Sequence, residues 1–192
     1  MIKVFYDLET TGLSAIENGI HQIAGMIEKD GVIVETFDFK VRPNPNKKIT
    51  EEALAVAGVT LEQVLAYPTM ERVYKQFKLL ICKYIDKFNR KDKAFLIGFN
   101  NRNFDDNFLR TFFMDNDDPY FGSLFWSASQ DVMVLASHYL ERRIQNMPNF
   151  KLMSVAKELG ILVDETKLHD GSYDVNLTYL IYRIVTGVAF EF

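Results

Sequence analysis

The chain has 192 residues, of which 48% are apolar and 25% charged, and its net charge is −4. That composition suits one folded domain over residues 1–192 with a sizeable core and excludes a disordered or low-complexity class. The one cysteine, Cys82, excludes an internal disulfide and a Cys-rich zinc site. A cytoplasmic setting is expected, with Cys82 as a small buried apolar residue. No run of about 18 apolar residues occurs, so no membrane association is expected. The stretch Met1–Tyr6 is too short for a signal peptide before the chain turns acidic at Asp7. The acidic balance argues against a protein that coats duplex DNA. It does not exclude an enzyme on nucleic acid, because carboxylates that hold divalent cations are neutralised in use.

In chain order, Lys3, Phe5 and Asp7 alternate with Ile2, Val4 and Tyr6, which predicts a first strand ended by Thr10-Thr11-Gly12. A second strand is expected near 20–27, a tight turn at Lys29-Asp30-Gly31, and a third strand over 32–41. These three should be antiparallel. Pro43-Asn44-Pro45-Asn46 reads as loop, and Thr50-Glu51-Glu52 as a helix start. Met70, Val73, Tyr74, Phe77, Ile81, Tyr84, Ile85 and Phe88 are spaced for one face of a long helix. The apolar run 94–99 predicts a buried parallel strand, and Phe104, Phe108 and Phe112 a helix directly after it. Further helices are expected at 131–142, 152–159 and 173–186. Strands first, then helix–strand–helix units, predict an α/β fold: a mixed sheet, antiparallel in its first three strands and then parallel, flanked by helices. Ligand sites in such sheets lie at strand ends and the helix N-termini beside them.

Three such positions carry carboxylates. Asp7 and Glu9, two apart on the first strand, point to the same face. Like charges this close repel unless a proton or a cation lies between them; an ordinary exposed Asp-x-Glu pair is the alternative. Asp105 follows the buried strand and opens a helix, with Asn103 and Asp106 spaced as a capping box. Its alternative role is to complement the helix dipole. Asp174 falls in the first turn of the last predicted helix, with Ser172 as a candidate cap, and His169 precedes it in a Gly/Ser-containing loop. A loop histidine can titrate near neutral pH or simply be solvated. Together the carboxylates form an oxygen-only donor set suited to Mg²⁺ or Mn²⁺. Two such ions are a known device for in-line attack on a phosphodiester.

With these residues read, the chain resembles the DEDDh 3′-to-5′ exonucleases. That superfamily includes the proofreading epsilon subunit of bacterial DNA polymerase III, ribonuclease T and oligoribonuclease. Tyr6-Asp7-Leu8-Glu9-Thr10-Thr11-Gly12-Leu13 is similar to the first family motif nearly residue for residue. Asn103-Phe104-Asp105 with Phe108-Leu109 is similar to the second, and His169 with Asp174 five residues later to the third, in its histidine variant. Between them, Phe39–Pro43 with Ala57–Thr60, Asp131–Leu135, and Phe150–Leu152 with Leu159–Ile161 match the family loosely. Tyr173 and Val175 depart from the small residues often found around the last Asp, and the stretch 115–126 has no counterpart.

The resemblance implies a ribonuclease H-like fold and a two-metal phosphodiester hydrolase that releases nucleoside 5′-monophosphates from 3′ ends. Asp7, Glu9 and Asp174 would hold one ion, Asp7 would bridge to the second with support from Asp105, and His169 would be the general base. Thr10, Leu13 and Phe104 would meet the terminal nucleotide. For Leu13 core packing is the alternative, and Phe104, on the Phe104/Phe108/Phe112 stripe, reads as core. A structural role is expected for Asp131. Core or oligomer contact is expected for Tyr120, Phe121, Phe125 and Trp126, with base stacking as the alternative. The scattered basic residues read as solvated surface. Single-stranded or frayed DNA ends are slightly favoured as substrate. An exoribonuclease, or a nucleic-acid-binding module that has lost catalysis, are the other readings. A polymerase or replication and repair partner fits the resemblance, although the short stretch after the last helix favours a stand-alone enzyme or a looser accessory.

Overall fold

The structure, a computed structural model, describes residues 1–168 and 170–187. One five-stranded sheet is built from β1 (Ile2–Thr10), β2 (Ile20–Lys29), β3 (Val32–Lys40), β4 (Phe95–Gly98) and β5 (Gln130–Asp131), in the order β3-β2-β1-β4-β5. β1 pairs antiparallel with β2, and β2 with β3, while β1–β4 and β4–β5 are parallel. This is the mixed sheet expected from the sequence.

The side chains of β1 sort by parity. Val4, Tyr6 and Leu8 enter a core shared with α3 (Met70–Cys82) and α4 (Asp105–Met114). Phe5 points the other way, into a core shared with α6 (Val132–Tyr139), α7 (Leu152–Glu158) and α8 (Gly171–Val185). Asp7 and Glu9 continue the Phe5 row toward the end of the strand, where the apolar face becomes acidic.

α3 buries Met70, Val73, Tyr74, Phe77 and Ile81, each worth roughly 1.5–3 kcal/mol of apolar burial. It ends at Cys82, six residues before the expected Phe88. The Asp86 carboxylate accepts from the Phe88 N–H, and the Asp86 N–H is held by Asp92. These local bonds compete with helix continuation, so Phe88 is 85% exposed. Cys82 is half-buried at the core edge rather than buried. Short helices α1 (Glu51–Val56), α2 (Leu61–Ala66) and α5 (Phe121–Leu124) complete the fold. Phe121 and Phe125 are buried, as the core reading of that cluster expected, while Tyr120 is exposed and Trp126 stacks on Phe95. No helix among the described residues is long and apolar enough to cross a membrane.

Candidate active site

Three pieces of local chemistry bring the acidic side chains together. The first is β1 itself. Asp7, Ala24 and Asp38 are cross-strand partners in one row over β1, β2 and β3, and Glu9, Gln22 and Lys40 in the next. Directly opposed residues share a face, so the two carboxylates adjoin Gln22 and Lys40.

The second is the β4–α4 turn. Asn100 adopts a left-handed conformation (φ 60°), which Asn tolerates better than most residues. Its N–H donates to Asp131 Oδ1 at 2.9 Å. Asp131 also caps α6 by accepting from the Met133 N–H at 3.0 Å, a structural role. The turn delivers Asp105 to β1, where its Oδ1 accepts from the Leu8 N–H at 3.1 Å. The expected capping box is absent. Asn103 lies in a short 3-10 turn, and Phe104 occupies the cap position without a side-chain bond. Asp106 is instead buried and accepts from Tyr6 Oη, Asn101 Nδ2 and Ser129 Oγ. Those bonds tie the α4 N-terminus to β1 directly behind Asp105.

The third is the start of α8. Asp170, not Ser172, is its cap, accepting from the N–H groups of Ser172 (3.0 Å) and Tyr173 (3.2 Å). Gly171 then lies against β1 and β2. A Cβ there would stand 3.0 Å from Ala24 Cβ, 3.4 Å from Gln22 Nε2 and 3.6 Å from Asp7 Oδ2. This close approach brings Asp174, in the first turn, to the two strand carboxylates. Asp7, Glu9 and Asp174 each offer an oxygen, all within 4.8 Å of one another. Asp105 lies near enough for its charge to act on Asp7. His169, expected beside Asp174, lies outside the described residues.

Electrostatics follow from this crowding. Burial, then the charges of Asp105, Glu9 and Asp174, push the Asp7 carboxyl well above the usual carboxylate range. Burial and Asp174 push Glu9 up to about 7, opposed by the Lys40 ammonium. Asp105 is pushed up to about 7 by burial, although its N–H bonds act in the opposite direction.

Two clefts flank the cluster. One, of about 700 Å³, is lined by Glu9, Thr10, Leu13, Val56 and Phe104 among others. Leu13 is 88% exposed, which excludes its core-packing alternative. Phe104 is half-buried against the core, with its ring 4.9 Å from that of Phe108, and still reaches the cleft. The Thr10 hydroxyl donates to the Gly12 carbonyl at 2.8 Å. The other cleft, of about 630 Å³, is lined by Gln22, Lys40, Val56, Lys167, Asp170 and Asn176 among others. Gln22, Lys40, Asp106 and Asp170 are not among the site residues expected from the sequence, where Asp106 reads only as part of a cap. Asp106 and Asp170 each stand beside a candidate residue, but Gln22 and Lys40 join the site only through strand register.

Comparison with known proteins agrees with this architecture. The chain is 27% identical over 179 residues to DNA polymerase III PolC-type of Mycoplasmopsis pulmonis, covering 93% of this chain and 11% of that protein. To the PolC-type polymerase of Oceanobacillus iheyensis it is 27% identical over 183 residues, again 11% of the relative. The chain thus spans about a tenth of the length of these curated relatives. Among solved structures, Escherichia coli Exonuclease I in complex with a dT13 oligonucleotide superposes with a TM-score of 0.77 at 20% identity, over 96% of this chain and 41% of that one. The RNase T exonuclease family model matches residues 4–182, and the chain belongs to that family, within the DEDD superfamily of 3′-to-5′ exonucleases.

Proposed function

We propose that this domain is a DEDDh-type 3′-to-5′ exonuclease that removes nucleoside 5′-monophosphates from single-stranded or frayed DNA ends with two divalent cations. The observation that carries the reading is the set of three carboxylate oxygens within 4.8 Å at the end of β1 and the start of α8. An oxygen-only donor set suits Mg²⁺ or Mn²⁺. The upward shifts of Asp7, Glu9 and Asp105, caused first by burial and then by neighbouring carboxylates, fit a site whose negative charge a cation would neutralise. Asp7, Glu9 and Asp174 would hold the ions, with Asp105 in support. When bound, the ions supply an activated water and neutralise charge on the leaving 3′ oxygen.

The chain's own groups do the rest. Asp105, fixed by the Leu8 N–H, keeps its carboxylate beside Asp7. Leu13 and Phe104 cover the terminal nucleoside in the apolar cleft. His169 takes the proton of the attacking water as its oxygen bonds to phosphorus and the P–O3′ bond breaks, and the departing 3′ oxygen takes a proton from solvent. The products are a nucleoside 5′-monophosphate and a strand with a new 3′-hydroxyl. DNA is preferred over RNA here because the curated relatives are DNA polymerases and the solved neighbour carries a deoxythymidine oligonucleotide. The same relatives support work on 3′ ends beside a polymerase.

With Mg²⁺, the protein should shorten a 5′-labelled single strand one nucleotide at a time. Asp7→Ala should abolish this, and His169→Ala should reduce it on the order of 10²-fold. Shortening that survives Asp7→Ala, or starts at the 5′ end, would sink the reading. Faster shortening of RNA would reassign the substrate.

A further inference from the structure

Gln22 and Lys40 adjoin the carboxylates but have no part in the mechanism above. They continue the Glu9 row across β2 and β3, two strand spacings of about 4.8 Å each. Gln22 is buried and donates to Asp38 Oδ1 at 2.9 Å. The Lys40 ammonium lies 3.6 Å from Asp38 Oδ2. Asp38 therefore orients both side chains on the face that carries Glu9. Lys40 is part-exposed at the strand end.

Lys40 also opens the second cleft, with Lys167, itself 3.4 Å from Asp164, on another wall. Val56 lines both clefts, so the two adjoin over the end of α1. Their linings differ in kind. Leu13, Phe104, Ala53 and Val56 give the first cleft an apolar surface for a base. The second is mixed: Gln22, Lys40, Lys167 and Asn176 put polar and cationic groups on it, beside the Asp170 carboxylate and the apolar Val59, Leu168 and Tyr173. A strand that presents one base to the first cleft must still carry its other charges past an acidic cluster. A lysine, as a mobile point charge, suits a phosphate whose position shifts with each step.

We propose that Lys40 binds the first phosphate on the 5′ side of the scissile linkage. The single strand then runs from the apolar cleft, over the carboxylates, into the Lys40 cleft. This rests on the exonuclease reading and assigns it a strand path.

The test uses two 5′-labelled single strands, one unmodified and one with a neutral methylphosphonate at the linkage next to the scissile one. On the unmodified strand, Lys40→Ala should raise KM on the order of tenfold with a much smaller change in kcat. Its log–log salt slope should flatten by about 0.7, and Lys40→Arg should restore most of the loss. On the methylphosphonate strand, wild type should fall to the level of Lys40→Ala, and the substitution should cost nothing further. Equal losses on both strands would mean that Lys40 acts through Glu9, and would overturn the proposal alone. So would no loss on either. A wild-type protein that leaves the unmodified strand intact would overturn the exonuclease reading and the proposal together.

Discussion

Gly171 and Asp7 are held in near contact: a Cβ on Gly171 would lie 3.6 Å from Asp7 Oδ2 and only 3.0 Å from Ala24 Cβ. The start of α8 thus bears on β1 and β2 through backbone, and the position of Asp174 depends on that fit. Gly171→Ala should be close to neutral for stability, within about 1 kcal/mol, because alanine favours the helix by about as much as the tight contact costs. Activity should suffer more. A shift of a few tenths of an ångström at Asp174 should lower kcat on the order of tenfold, since 1 Å misplacements can cost 10²-fold. Gly171→Leu should abolish activity outright. Melting curves beside turnover would check the split, and wild-type turnover in Gly171→Leu would show that α8 does not set the site.

Metal-free protein should become less stable as the site carboxylates ionise. Glu9 and Asp105 are held up to about 7 when folded, against ordinary values of 4.5 and 3.8. Between those limits the folded state binds protons that the unfolded chain has released. The contribution of these groups is therefore fully present below about pH 4 and is lost as pH rises through 7. His21 acts with the opposite sign. Burial holds its imidazole down to about 4, so its contribution is present above 6.5 and is lost as pH falls toward 4. Comparison of wild type with Asp7→Asn cancels the His21 effect. At about pH 8, Asp7→Asn should raise the metal-free melting temperature by about 3 °C or more. Millimolar Mn²⁺ or Mg²⁺ should stabilise wild type there, far less at about pH 5, and not stabilise Asp7→Asn. A metal-induced rise that survives Asp7→Asn would place the ion elsewhere.

Much of this was legible in the residues because local chemistry dictated it. The alternation of β1, the Lys29-Asp30-Gly31 turn and the buried face of α3 rest on periodicity and turn propensity, and the sheet follows them. β2 is buried on both faces along nearly its whole length, so its period-2 signal is masked. Helix ends were less legible. Asp86 ends α3 with bonds to Phe88 and Asp92, and the caps at Phe104 and Asp170 depend on which polar side chains are used elsewhere. Asp106 illustrates the difficulty. One residue from Asp105, it reads from sequence as half of a capping box, yet Tyr6, 100 residues away, claims it. Gln22 and Lys40 were invisible for a different reason. Their nearness to Glu9 is a matter of register, which side-chain periodicity within one strand cannot fix.

Leu13 and Phe104 line the same cleft but differ in what else they touch, and substitution should separate the two. Leu13 is 88% exposed and contributes nothing to the core clusters, so Leu13→Ala should leave the melting temperature within about 1 °C of wild type. Its effect should fall on the substrate. On the proposed reading Leu13 covers the terminal base, so its loss should lower kcat/KM for strand shortening by about tenfold. Phe104 packs on Phe108 and the core beneath it. Phe104→Ala should therefore cost about 2–3 kcal/mol of stability as well as activity, while Phe104→Leu should recover most of the stability. Denaturant curves and steady-state kinetics on one 5′-labelled strand would measure both effects. If Leu13→Ala unfolds the protein or leaves kcat/KM unchanged, the apolar cleft is not where the terminal nucleoside binds, and the strand path through Lys40 must then be redrawn from the other end.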